Sequence, residues 1–467
     1  MTDPTLPEVA KQLADTQTAL NIVWTMVAGF LVMFMQAGFA LVETGLVRAK
    51  NVAHTMGMNF LVYAIGILGF WSVGFALQMG GVGALATFGG ETTLSHEFTL
   101  TIAGKEHGLF GLSGFFLSPS VFTPAVAATF LFQMVFMDTT ATIPTGALAE
   151  RWKMLSFVVL SFAISTVIYP IYANWVWGGG WLSALGKNYG LGHGHVDFAG
   201  SSVVHLTGGV IALVCAKMLG ARIGKYDKNG QPRAIPGHNV AFVVIGTFIL
   251  AFGWFGFNAG STLAGMDGQL AIVATNTMLA SASGAGAAAV YVWTRFGKPD
   301  PTMLCNGMLA GMVAITAPCA FVSAPVSILI GVVAGVLVVV AALFVERNLK
   351  IDDPVGAVAV HGVNGAWGIV ALGLFANGKY GAGLNGVDGN VTGLFYGDSG
   401  QLVAELIGIV TNIVYVGTLA AVVFFVTDKI IGNRVSREDE IGGLDVPEMG
   451  VEGYAGDIAH ASLADAP

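Results

Sequence analysis

The sequence predicts an all-α polytopic membrane protein, on three observations. Hydrophobic residues are 55% of the 467 and charged residues only 10%, with a mean hydropathy of +0.74; a soluble domain carries about 25% charged residues. Apolar stretches of about twenty residues, enough to cross ~30 Å of hydrocarbon, recur eleven times along the chain. The basic residues are also divided very unequally between alternate connections. Together these exclude a water-soluble enzyme, a nucleic-acid binder and a disordered chain. The net charge of −8 adds little, because many acids collect in loops and in the tail.

The expected spans are 21–42, 58–79, 121–144, 154–176, 201–219, 239–260, 270–293, 302–322, 326–345, 357–376 and 401–426. Residues 1–20 hold one lysine, Lys11, with two prolines and several acids, and so do not read as a cleaved signal peptide. They form a short extracytoplasmic N-terminus before a membrane domain at 21–431 and a polar tail at 432–467. Lys11, Lys105, Lys187 and Lys379 fall on one side of the membrane, and the other sixteen basic residues fall opposite. The positive-inside rule then places the N-terminus outside and the C-terminus in the cytoplasm, at the cell membrane. Residues 109–117, within the glycine-rich outer loop 80–120, are too short to span and are expected at the outer interface.

Glycine is the second bias: 65 residues, about twice the usual share of ~7%. Gly307/Gly311 and Gly331/Gly335 have the spacing of closely packed membrane helices. Cys215, Cys305 and Cys319 lie in apolar runs without paired spacing and read as small core residues.

One internal repeat stands out. Asp197-Phe-Ala-Gly-Ser-Ser-Val-Val-His205 opens the fifth span and Asp353-Pro-Val-Gly-Ala-Val-Ala-Val-His361 opens the tenth. Equivalent positions lie five spans apart. Five is odd, so the halves have opposite topology, a 5+5 inverted repeat plus a C-terminal helix. Eight helical residues rise about 12 Å, so histidines entering from opposite faces meet near the midplane. A lone intramembrane histidine is more often satisfied by neighbouring backbone; the repeated spacing makes this pair functional. Asp197 and Asp353 read first as caps of helix N-termini, with Asp197 also drawing cations to the outer mouth.

These residues lie in blocks that resemble the Amt/Rh/MEP ammonium transporters, the Amt branch most closely. The blocks are Gln36–Asn51, Gly146–Arg151, Asp197-Phe-Ala-Gly, Trp254–Ser261, His361-Gly-Val and Gly443-Leu-Asp. The resemblance implies that His205 and His361 are the twin histidines of a pore, sharing a proton. It implies that Phe136 and Phe257 are the stacked gate, that Phe132, Phe136, Trp177 and Ser261 recruit ammonium, and that Trp254 lines the pore. It further implies a homotrimer, methylammonium as a substrate analogue, no enzymatic activity and no cofactor. A cytoplasmic tail that receives a PII-type signal protein also follows from it. Ammonium gains ~0.5–2 kcal/mol at an aromatic face, less than burial of its charge costs, which favours deprotonation at the mouth and passage of ammonia. The expected function is net electrogenic ammonium uptake. The alternatives are an electroneutral Rh-type channel for ammonia or carbon dioxide, and an ammonium sensor with little transport. No signalling domain follows the tail, as expected of a transporter rather than a transporter-sensor fusion. A metal hydrolase using His193, His195, His205 or His361 is the alternative from another class; His193-Gly-His195-Val-Asp197 has metal-ligand residue types but no further ligand set. The expected metal complement is none. Glu43 reads as a structural partner of a neighbouring helix, and Asp138 has no assigned role.

Overall fold

In a membrane interior no water is present to satisfy backbone groups, so apolar segments close their hydrogen bonds as helices. The computed structural model describes residues 5–454. Its apolar helices are α1 (Leu6–Leu46), α2 (Ala49–Met79), α3 (Pro124–Leu148), α4 (Met154–Trp177), α5 (Ser201–Leu219), α6 (Val240–Thr262), α7 (Gln269–Phe296), α8 (Pro301–Ile315), α9 (Ala324–Arg347), α10 (Val358–Phe375) and α11 (Ser399–Ile430). Ten are long and apolar enough to cross a membrane; α8 has fifteen residues and continues as turns through 316–321. This is a multi-pass, all-α membrane fold.

Two expectations change. The first helix starts fifteen residues before its apolar stretch, because a capping box formed by Thr5 and Glu8, with Pro7 in the first turn, nucleates it in a polar segment. Loop 80–120 carries a β-hairpin, β1 (Glu97–Ile102) with β2 (Lys105–Gly111), so residues 109–111 end a strand. Ala103 and Gly104, at φ 52° and 77°, form its two-residue turn, a backbone hand that matches strand twist. Phe98 and Phe110 stack across the strands at 4.9 Å. Trp175 Nε1 donates to Leu109 O at 2.9 Å, fastening the hairpin to α4.

Helices α1 and α6 pack along each other, α7 packs between α8 and α9, and α5 meets α10 at the centre, flanked by α3, α8 and α11. Small residues make the close approaches. A Cβ at Gly335 would lie 2.1 Å from Gly284 O, and one at Gly311 2.2 Å from Ala280 O, so both glycine pairs press against α7.

The face that carries the tail is held by charge. Arg222 makes a two-pronged bond to Asp352 at 2.8 and 2.9 Å and approaches Glu150 at 3.4 Å. Arg48 donates backbone N and Nε to Glu150, each at 2.7 Å. The tail docks here: Asp445 accepts from His54 N at 2.9 Å, Glu448 from Met154 N at 2.8 Å, and Leu444 N donates to Asn51 Oδ1 at 3.0 Å. Residues 455–467 lie outside the described residues.

Burial alone would raise the carboxyl pKa of Asp352; the Arg222 bonds and the charges of Arg222 and Arg151 outweigh it and hold the pKa well below the ordinary range. A depressed folded pKa contributes stability above the unfolded value of about 3.9 and loses it as pH falls toward the folded value. Asp352→Asn should therefore lower Tm in detergent at pH 7 by about 5 °C or more, with Arg222 left buried and half-paired. The gap to wild type should narrow steadily below about pH 4. A gap that stays constant between pH 7 and pH 3 would remove the ion-pair account.

Candidate functional site

Helices α5 and α10 begin inside the protein, and a carboxylate starts each. Asp197 accepts from the backbone N–H of Gly200, Ser201, Ser202 and Val203 at 2.7–3.0 Å, and from the Ser202 hydroxyl at 2.8 Å. Asp353 likewise accepts from Val355, Gly356 and Val358 N–H groups. These anions satisfy donors that a helix N-terminus leaves free. Gly200 and Gly356, at φ +116° and +81°, let the chain turn into each helix.

The first turn of each helix is wide: Ser201–Leu206 and Val358–Val363 are π-helical, and each carries a histidine. Such turns concentrate at functional sites. The eight-residue spacing is therefore not eight residues of helix. His205 sits four residues into its helix, a rise of about 6 Å. The histidines meet because both helices start deep and cross tightly; a Cβ at Gly209 would lie 2.2 Å from Gly362 N.

At the crossing His205 Nδ1 and His361 Nδ1 lie 3.1 Å apart, both rings buried. Two ring nitrogens at that distance share one proton: one donates and the other accepts. The remaining Nε2 atoms are then complementary, one an acceptor and the other an N–H donor. His205 Nε2 has no protein partner among the described residues. Trp254 stacks on His205 at 5.4 Å, and its Nε1 donates to Thr316 Oγ1 at 3.1 Å.

Above the histidines Phe257 lies 5.4 Å from His205, and Phe136 stacks on Phe257 at 4.2 Å, covering the histidine pair from one side. Phe132 follows at 4.6 Å from Phe136, and Trp177 meets Phe136 edge-on at 6.0 Å. Phe132, Phe136, Trp177, Ser261 and Asp197 all line one cavity of about 1050 Å³. Ser261 Oγ donates to Phe257 O at 2.7 Å, which leaves its oxygen lone pairs available as acceptors. Trp177 Nε1 donates to Asp197 O at 2.7 Å, so the ring is set by the same loop that starts α5. The Asp197 carboxylate is taken up by its five donors and contributes to the cavity as a fixed negative charge. A second cavity, of about 430 Å³, opens on the tail-bearing face against Val355, Gly356 and Ala359.

The other flagged residues are engaged within the protein. His193 Nε2 bonds Gly389 O at 3.1 Å, while His195 borders the outer cavity but turns its ring to Glu405 and Ser202. Glu43 accepts from Asn59 on α2 and from Thr145 on α3 at 2.7 Å each. Asp138 is buried, and Oδ1 has no partner among the described residues. Sequence reasoning missed Gln133 and Tyr380 of the outer cavity and Thr316 behind Trp254, none of which sits in a quoted block. It also missed Glu405, an acid inside an apolar span, although its residue type alone was a sufficient signal.

The sequence and the fold have counterparts among known proteins. The model of the Ammonium Transporter Family matches residues 23–454. Ammonium transporter Amt2 of Archaeoglobus fulgidus is 46% identical over 455 residues, covering 97% of this chain and 91% of the relative. Among solved structures, a protein titled Sensor Amt Protein superposes with TM-score 0.80 at 34% identity, over 93% of this chain and 99% of that one. Mep2 of Candida albicans superposes with TM-score 0.75 at 27% identity, over 90% and 87%. With the paired helices, the shared coverage and the matching family model together, this chain belongs to the ammonium transporter family.

Proposed function

We propose that the protein takes up ammonium by binding the cation at the aromatic mouth, removing a proton there and passing ammonia through the pore, with net movement of charge. The observation that carries this reading is the 3.1 Å contact between His205 and His361 directly beneath the stacked Phe136 and Phe257. Phe132, Phe136 and Trp177 offer ring faces to a cation, and Ser261 offers an acceptor for one N–H. The closed phenylalanine pair and the apolar surroundings disfavour a hydrated cation, whereas neutral ammonia meets one acceptor and one donor at the Nε2 atoms. The shared proton gives the histidines a means of relaying charge separately.

The reading includes eleven spans with the N-terminus outside, a homotrimer with one pore per subunit, and a tail face that receives a PII-type signal protein. The likeness to a structure titled as a sensor supports a second reading, ammonium sensing with little flux.

On proteoliposomes of the purified protein, an ammonium pulse should evoke a sustained, saturable current. His205→Ala/His361→Ala should abolish that current or destroy its selectivity for ammonium. Ammonia flux without current would assign the electroneutral channel, and absence of both would favour sensing; a double variant indistinguishable from wild type would end the twin-histidine assignment. Trp177→Leu should raise the half-saturating ammonium concentration about threefold to thirtyfold, the loss of one cation–π contact, with Tm unchanged. Kinetics identical to wild type would move Trp177 from recruitment to packing.

A further inference from the structure

Helix α11 carries a buried polar row, Gln401, Glu405, Gly408 and Asn412, at spacings that share one helix face. That face meets α5 and α10. Glu405 is fully buried there, and intramembrane acids are costly enough to need a purpose. Its Oε1 accepts from Gln401 Nε2 at 2.7 Å and Val196 N at 3.1 Å; its Oε2 lies 2.6 Å from His195 Nδ1. On the other side of the ring, Nε2 is 2.9 Å from Ser202 Oγ, which donates its proton to Asp197 Oδ2.

Counting protons fixes this chain. A serine hydroxyl has one proton, and here it goes to a carboxylate that only accepts, so His195 Nε2 carries hydrogen and donates to Ser202. At 2.6 Å, Nδ1 and Oε2 sit too close for two lone pairs to face each other, so one of them carries a proton, although the two do not meet in line. Space fixes the ring as well: a Cβ at Gly408 would lie 2.2 Å from His195 Nδ1. Ser202 is the second residue of the wide turn that carries His205. Its carbonyl accepts from Thr207 Oγ1 at 3.1 Å, and Asn412 Nδ2 donates to the same Thr207 oxygen at 2.8 Å. The repeat in α10 has Val358 where α5 has Ser202, so this side-chain link exists in one half only.

We propose that His195 and Glu405 are positioning residues for transport: through Ser202 they hold the turn that aims His205 at His361, with both side chains bonded within the protein. The proposal rests on the transport reading above. Glu405→Ala removes the bond to His195, and the maximal ammonium-evoked current per folded protein should fall about tenfold or more, the cost of a misaimed group. The half-saturating concentration should stay within about threefold, because the aromatic mouth is untouched. Glu405→Gln keeps the bonds, its carbonyl accepting from Gln401 and Val196 and its amide donating to Nδ1, and should retain at least about half the wild-type current. Wild-type current in Glu405→Ala, a change confined to half-saturation, or equal loss in the alanine and glutamine variants would each overturn the positioning role. If Glu405→Ala does not fold, Ser202→Ala decides, since it cuts the link and leaves four backbone bonds to Asp197; the same loss of maximal current supports the role, and wild-type kinetics refute it. A wild-type protein silent in both current and methylammonium uptake would overturn the transport reading and the positioning role with it.

Discussion

Two imidazoles in contact inside a membrane protein impose requirements on everything around them. Each ring has to be delivered to the same point by a different helix, and neither helix can run straight through that point. The structure meets this by starting α5 and α10 at depth, which strands several N–H donors where no water waits. Asp197 and Asp353 exist for that reason: each gathers the free amides of one helix start into a single carboxylate. Gly200 and Gly356 follow from the sharp entry, and Gly209 from the crossing, where even a methyl group would separate the helices. The wide turns then aim the histidines at each other. A functional contact thus accounts for the two acids, the three glycines and the irregular backbone at the centre.

The same contact explains the division of labour across the membrane. On one face aromatic rings and the Asp197 carboxylate surround a cavity of about 1050 Å³. On the other, Arg222, Glu150 and Asp352 pair with one another and with the loops, so their charges tie helix ends together. The tail completes that clamp by supplying Asp445 and Glu448 as caps for the starts of α2 and α4. Any movement of the tail is therefore coupled to two helix ends of the first half.

Much of this was legible in the sequence, for identifiable reasons. Spans are visible because hydrocarbon demands long apolar runs, and the paired histidines because a repeated Asp-to-His spacing survives in both halves. The glycine pairs of α8 and α9 announced close packing, and the structure places them against α7. What was not legible is what depends on short polar segments or on distant neighbours. The first turns of α1 are polar and form through a local capping box. The hairpin's β1 and β2 lie in a loop whose glycines suggest irregular structure, although Ala103-Gly104 makes a tight turn. The route to His205 is not eight residues of helix, because residues 197–200 are a loop around Asp197. Glu405 was visible as an acid in an apolar span, but its partner, His195, sits some two hundred residues away in sequence.

That omission shows how a polar network differs from a motif. A motif such as Asp-x-x-Gly is readable because its members bond within a few residues of one another. The chain from Glu405 through His195 and Ser202 to Asp197 joins the last helix to the loop before α5, and only the fold brings them together. Yet each member is constrained: remove the hydroxyl and the imidazole keeps only Tyr172 Oη at 3.4 Å, remove the imidazole and the acid keeps only the donors on its Oε1. The half of the repeat that lacks the hydroxyl holds its turn by backbone bonds to Asp353 and by Asn364 Nδ2, which donates to Ala359 O at 2.9 Å. The two halves therefore start from one design and are secured differently, so the two histidines, although paired in space, sit in unequal surroundings.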